Sequence, residues 1–135
     1  MKYNINGKFK IMQLADIQEI PNVSVDTVKL IDRALEEEKP DLVVLTGDQI
    51  KGYGMSYGKK SGNKKQEVFD VLSKILEPVT KREIPYAVTF GNHDRQVGIS
   101  NKEQFCDIYK KIGNCIGEQA EGIDGGGTYN IPIYS

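Results

Sequence analysis

The run Leu42-Val-Val-Leu-Thr46 is the feature that most limits what this chain can become. Its apolar and β-branched residues do not alternate with polar ones, so they read as a strand covered on both faces by helices or by a second sheet. Pro40-Asp41 precedes the run and Gly47-Asp48 closes it, which is the length of a buried strand rather than of a helix. Two more segments read as strands that close on a polar end. Lys8 to Leu14 alternates and closes on Ala15-Asp16, while Tyr86 to Phe90 follows Ile84-Pro85 and closes on Gly91.

Helical spacing fills the intervals. Val28, Leu30, Ile31, Ala34 and Leu35 predict a helix that Ser24 or Asp26 caps and Pro40 stops. Val68, Val71, Leu72, Ile75 and Leu76 recur at i, i+3, i+4, i+7 and i+8 and predict a second helix breaking around Pro78. Ser100 and Glu103 form a capping-box pattern ahead of Phe105, Ile108, Tyr109 and Ile112, so a third helix begins near Asn101 and ends at Gly113 to Gly117. Gly125-Gly-Gly127 opens a last strand, Thr128 to Tyr134, with Tyr129, Ile131 and Ile133 on one face. Lys51 to Lys65 holds four glycines, five lysines and two tyrosines without a period and reads as a mobile loop. Its lysines either solvate the surface or meet a phosphate. Alternation of strands and helices makes this an α/β chain of parallel βαβ units.

Composition excludes several functions. Eighteen basic against nineteen acidic residues leave a net charge of −1, without the basic field that nucleic-acid binding needs. No apolar run approaches the ~20 residues of a membrane span. The start, MKYNINGKFK, lacks the apolar core of a signal peptide. Cys106 and Cys115 are too few for a disulfide framework and lack zinc-finger spacing; with no signal peptide ahead of them they read as reduced thiols in a cytoplasmic protein.

The strand ends carry the chemistry. Strand one ends in Asp16-Ile-Gln18, strand two in Gly47-Asp48, and strand three in Gly91-Asn92-His93-Asp94, which holds the only histidine. In a parallel sheet these ends share one edge, where open α/β sheets bind ligands. A lone Asp after a strand is ordinarily a turn former or helix cap. Two carboxylates, a carboxamide and an imidazole at one edge suit divalent manganese, iron or zinc.

The order Asp16-Ile-Gln18, Gly47-Asp48, Gly91-Asn92-His93-Asp94 resembles the start of the calcineurin-like metallophosphoesterase signature, written D-x-H, G-D, G-N-H-D/E. The strings FKIMQLAD, PDLVVLTGDQ, PYAVTFGNHDRQ and GGTYNIPI are most similar to the branch related to purple acid phosphatases. The resemblance implies the amino-terminal half of a four-layer αββα sandwich and a centre of two divalent or trivalent metal ions (manganese, iron or zinc). By it Asp16 binds one metal, Asp48 bridges both and Asn92 binds the second. His93 gives a proton to the leaving alkoxide or stabilises charge, and Asp94 accepts a hydrogen bond from His93. Arg95 either reaches the phosphate or forms a surface salt bridge. The implied activity is hydrolysis of a phosphomonoester or phosphodiester by a metal-activated hydroxide.

Two departures qualify the match. Position 18 is Gln where the pattern has His, and a carboxamide is a poorer ligand than imidazole. No histidine follows His93, so the two later histidine motifs are absent. The expectation is one incomplete domain over residues 1–135, inactive alone and prone to self-association through a bare sheet face and edge. The competing reading is a degenerate, non-catalytic member that binds a partner or ligand through the same edge.

Overall fold

Three short strands lie side by side in chain order, all parallel: β1 (Ile11–Leu14), β2 (Leu42–Thr46) and β3 (Tyr86–Thr89). Leu14 pairs with Leu45 and Leu45 with Val88, so the strands end level with one another. The computed structural model describes residues 1–3, 6–59 and 62–134.

Helices α1 (Val25–Glu38) and α2 (Lys64–Thr80) make the two crossovers. Ser24, not Asp26, caps α1: its hydroxyl accepts from Asp26 N at 3.2 Å. Left-handed Lys39 (φ 46) and then Pro40 end the helix. Both crossovers add a strand in the same direction, and right-handed connections then place both helices on one face. That face holds the core, in which Ile31, Leu35, Val43, Leu45, Val68, Leu72, Ile75, Tyr86 and Val88 form one buried cluster. Each such side chain contributes about 1.5–3 kcal/mol by leaving water.

The opposite face differs from the expectation of cover on both sides. It is covered only in part: Leu42 and Ala87 on it are buried, whereas Gln13 and Thr46, hydrogen-bonded at 2.9 Å, stand beside half-buried Val44 and Ile11, which is 53% exposed.

Three further expectations are corrected. Helix α2 runs through Pro78 to Thr80. The N–H that proline lacks falls in the last turn, where Thr80 Oγ1 donates to Leu76 O at 3.2 Å and Arg82 donates to Pro78 O at 3.1 Å. The segment after Lys51 is anchored rather than loose. Tyr57 is buried and its hydroxyl donates to Glu19 O at 2.7 Å, while Gly58 N donates to Glu67 at 2.7 Å. Lys60 and Ser61 of that segment lie outside the described residues.

The strand expected over Thr128 to Tyr134 does not form; Tyr134 makes a single bridge to Lys2. The outer edge of β3 is satisfied by other means. Tyr86 N donates to Asn114 O at 3.0 Å and Ile116 N to Tyr86 O at 2.9 Å. The Tyr129 hydroxyl then accepts from Val88 N and donates to Val88 O, both at 2.7 Å. One phenol replaces a strand partner at this position.

Beyond β3 a 3₁₀ turn, Asp94–Val97, leads to α3, a continuous helical run over 101–112. It opens as Asn101–Gln104 with the expected capping box of Ser100 and Glu103, passes through a π turn at Phe105–Tyr109 and closes as Lys110–Ile112.

Candidate functional site

Past the strands the backbone keeps its parallel pairing for several residues. Asp16 N donates to Gly47 O at 3.1 Å, Gln18 N to Asp48 O at 3.0 Å and Glu19 N to Gln49 O at 3.2 Å. To do so Asp16, Gln18 and Asp48 adopt left-handed backbone, with φ of 53, 50 and 55. Such conformations cost about 1–2 kcal/mol each outside glycine and persist where the surroundings demand them. At Asp48 the second and third strand ends also pack tightly together. A Cβ on Gly91 would fall 2.2 Å from Asp48 Oδ1, and one on Gly47 would fall 2.4 Å from Gly91 N. Only glycine lets these two turns touch.

Asp94 locks them together. Its fully buried carboxylate accepts from Asp48 N and Gly91 N at 2.8 Å through Oδ2, and from Gln49 N at 3.0 Å and Ile50 N at 3.4 Å through Oδ1. Burial pushes this carboxyl above its ordinary value, against the pull of those backbone N–H groups. In return Asp48 Oδ1 accepts from His93 N at 2.8 Å.

The hydrogen bond expected from His93 to Asp94 is therefore not made. The two residues are consecutive at the start of a tight turn, so their side chains leave in different directions, one inward and one over the strand ends. The imidazole instead places Nδ1 2.7 Å from Gln96 Oε1 and 3.2 Å from Asn92 Nδ2. Tyr53 lies against its face, with ring centroids 4.6 Å apart at 47°. The Tyr53 hydroxyl donates to Gln18 Oε1 at 3.3 Å, and Lys51 Nζ stands 4.9 Å from the Tyr53 ring. Gln18 and His93, far apart in sequence, are thus joined through one tyrosine.

Asp16, Gln18, Asp48, Asn92 and His93 all gather at the carboxyl edge of the sheet; Asp16 and Asn92 are exposed, the other three half-buried. Arg95, on the 3₁₀ turn, is exposed. Sequence reasoning missed Tyr53, Gln96 and the buried Gln49, whose Nε2 donates to Gly47 O at 2.7 Å and Leu14 O at 3.3 Å. For Gln96 a signal existed, since it lies three residues after His93.

Among the described residues no three His, Cys, Asp or Glu side chains gather as a metal-ligating group. The strand ends supply two carboxylates and a carboxamide, oxygen donors that suit a hard divalent cation. They fit part of a metal centre rather than a closed one.

The family model described as calcineurin-like phosphoesterase matches residues 9–133. The chain is 28% identical over 155 aligned residues to an Arabidopsis thaliana protein named "Probable inactive purple acid phosphatase 29", covering 99% of this chain and 37% of that one. It is 39% identical over 103 residues to the Saccharomyces cerevisiae protein named "Phosphatase DCR2", covering 65% of this chain and 16% of that one. To the Escherichia coli protein named "Phosphodiesterase YaeI" it is 30% identical over 105 residues, covering 78% and 34%. The chain therefore spans well under half the length of these curated relatives. No solved structure matches it. No described helix is long and apolar enough to cross a membrane.

Proposed function

The chain belongs to the calcineurin-like phosphoesterase family, and on that premise we propose that it carries part of the active site of a metal-dependent phosphoesterase acting on a phosphomonoester or phosphodiester. The second and third strand ends interlocked through the Asp94 carboxylate, with the first strand end hydrogen-bonded alongside the second, support this reading most directly. Asp16, Asp48 and Asn92 would hold metal, with Gln18 a weaker donor beside them. A bound cation there supplies Lewis acidity toward the phosphoryl oxygens and acidifies water.

This chain's own residues do the rest. Asp48 is held by the His93 N–H, so its carboxylate keeps one orientation. His93 protonates the leaving oxygen. On this reading the 135 residues supply only part of a metal centre, and the chain by itself is inactive and self-associates through its partly open sheet face. The free thiols Cys106 and Cys115 favour a reducing, cytoplasmic setting.

A second reading has its own support. Gln18 stands where the family pattern has histidine, and three relatives carry the word inactive in their names. On this reading the edge binds a ligand or partner without catalysis.

Calorimetric titration with manganese tests the first reading on wild type and Asp48→Asn. Asparagine preserves the acceptor for His93 N but removes the charge. Stoichiometric binding that the substitution abolishes is expected; binding indifferent to it sinks Asp48 as a metal ligand. In the same titration Gln18→His discriminates the readings. Binding tightened tenfold or more marks position 18 as a weakened ligand and favours the degenerate reading.

A further inference from the structure

His93 and Gln96 stand three residues apart across the 3₁₀ turn that His93 caps. Side chains at i and i+3 of such a turn eclipse one another, which brings Nδ1 of the imidazole within 2.7 Å of Gln96 Oε1. A carboxamide oxygen has no hydrogen to give. At that separation one of the two atoms must carry one, so it sits on Nδ1. The Asn92 amide nitrogen, at 3.2 Å, is also a donor and adds no bond to an Nδ1–H. Tyr53 closes the face of the ring, and its own swing is limited by the bond to Gln18.

We propose that Gln96 is a positioning residue that holds His93 as the Nδ1–H tautomer and leaves Nε2 as the atom that exchanges a proton with the phosphate ester. The chemical consequence rests on the phosphoesterase reading; the geometry does not. In the cleavage step the oxygen of water forms a new bond to phosphorus and releases a proton to solvent. The bond from phosphorus to the leaving oxygen breaks, and that oxygen takes the Nε2 proton of the imidazolium. The neutral ring left behind carries hydrogen on Nδ1, the form Gln96 stabilises. The orienting role expected of Asp94 thus falls to a neutral side chain, which steers the proton without adding negative charge beside the ring.

A neutral histidine in water carries its hydrogen mainly on Nε2, so the proposed tautomer is the unusual one and is readable. His93 is the only histidine, and imidazole nitrogen and carbon NMR of the 135-residue chain reports a single ring. In its neutral form wild type is expected to show hydrogen on Nδ1. Gln96→Glu keeps it there, and Gln96→Met, at an exposed position, moves most of the population to Nε2–H. Wild type with Nε2–H, as when the Gln96 amide presents its NH2 to the ring, overturns the proposal. So does a Gln96→Met spectrum identical to wild type. The wild-type spectrum decides even if a variant folds poorly. Manganese binding indifferent to Asp48→Asn would count against the reaction and leave the tautomer standing, so the two failures are distinguishable.

Discussion

The two sides of the strand-end edge are held by different means. Where β2 and β3 end, buried polar atoms fix the backbone: Asp94 gathers N–H groups from both turns, and two glycines allow the turns to touch. Where β1 ends, Asp16 is exposed and Gln18 half-buried, and their backbone hangs on Gly47 O and Asp48 O in left-handed conformation. Gln49 reaches across to Leu14 O from the same β2 turn. The β2 turn is therefore the keel of the site. Damage to its lock should spread to both sides, whereas damage at β1 should stay local.

The same substitution on each side gives the largest contrast. Asp94→Asn turns an NH2 group toward backbone N–H groups that now share one carboxylate, and hydrogen bonds to charged groups are worth about 1.5–3 kcal/mol each. A loss of about 3 kcal/mol is expected in urea denaturation. Asp16→Asn keeps a residue that tolerates left-handed backbone and alters only exposed atoms, so its cost should stay below about 0.5 kcal/mol. Equal destabilisation by the two would break the distinction.

Much of this was legible in the sequence because it is local. Apolar runs closed by Gly-Asp or Gly-Asn gave strands with polar ends, 3.6-residue spacing gave the helices, and the Ser100–Glu103 box is formed as read. The unread parts depend on contacts between distant residues or on direction rather than on spacing. Asp94 follows His93 directly, yet adjacency in a tight turn separates side chains, and the partner three residues on is the one that meets the ring. Tyr53 carries no pattern that would link it to Gln18 and His93. The last strand failed because Tyr129 alternates correctly with Ile131 and Ile133 but spends its hydroxyl, not its backbone, on β3.

That phenol extends the contrast to a second place where polar groups fix a backbone. Tyr129→Phe keeps the ring against Phe105, whose centroid lies 5.9 Å away, and deletes only the hydroxyl. Val88 N and O then lose their partner at the outer edge of β3, at a cost of about 2 kcal/mol in the same denaturation. A cost near zero would mean that water replaces the hydroxyl freely, and the lock would be confined to the strand ends.

The smallest effect concerns a carboxylate held by charge rather than by buried N–H groups. On α1, Asp32 accepts from Arg82 at 2.6 Å and pairs with Lys81. The Arg82 bond first, then Lys81, holds its carboxyl down from 3.8 to about 2. A folded value below the unfolded one adds stability that is present above 3.8 and lost as pH falls toward 2. Asp32→Asn should therefore flatten the acid limb of thermal melts between about pH 2 and pH 4 and leave the shape above it unchanged. The Asp32 side chain is 37% exposed, so solvent screens the pair and the change is a slope rather than a collapse. If this exposed pair shaped acid stability as strongly as Asp94→Asn shifts the urea midpoint, burial would not be what separates the lock from the rest of the surface.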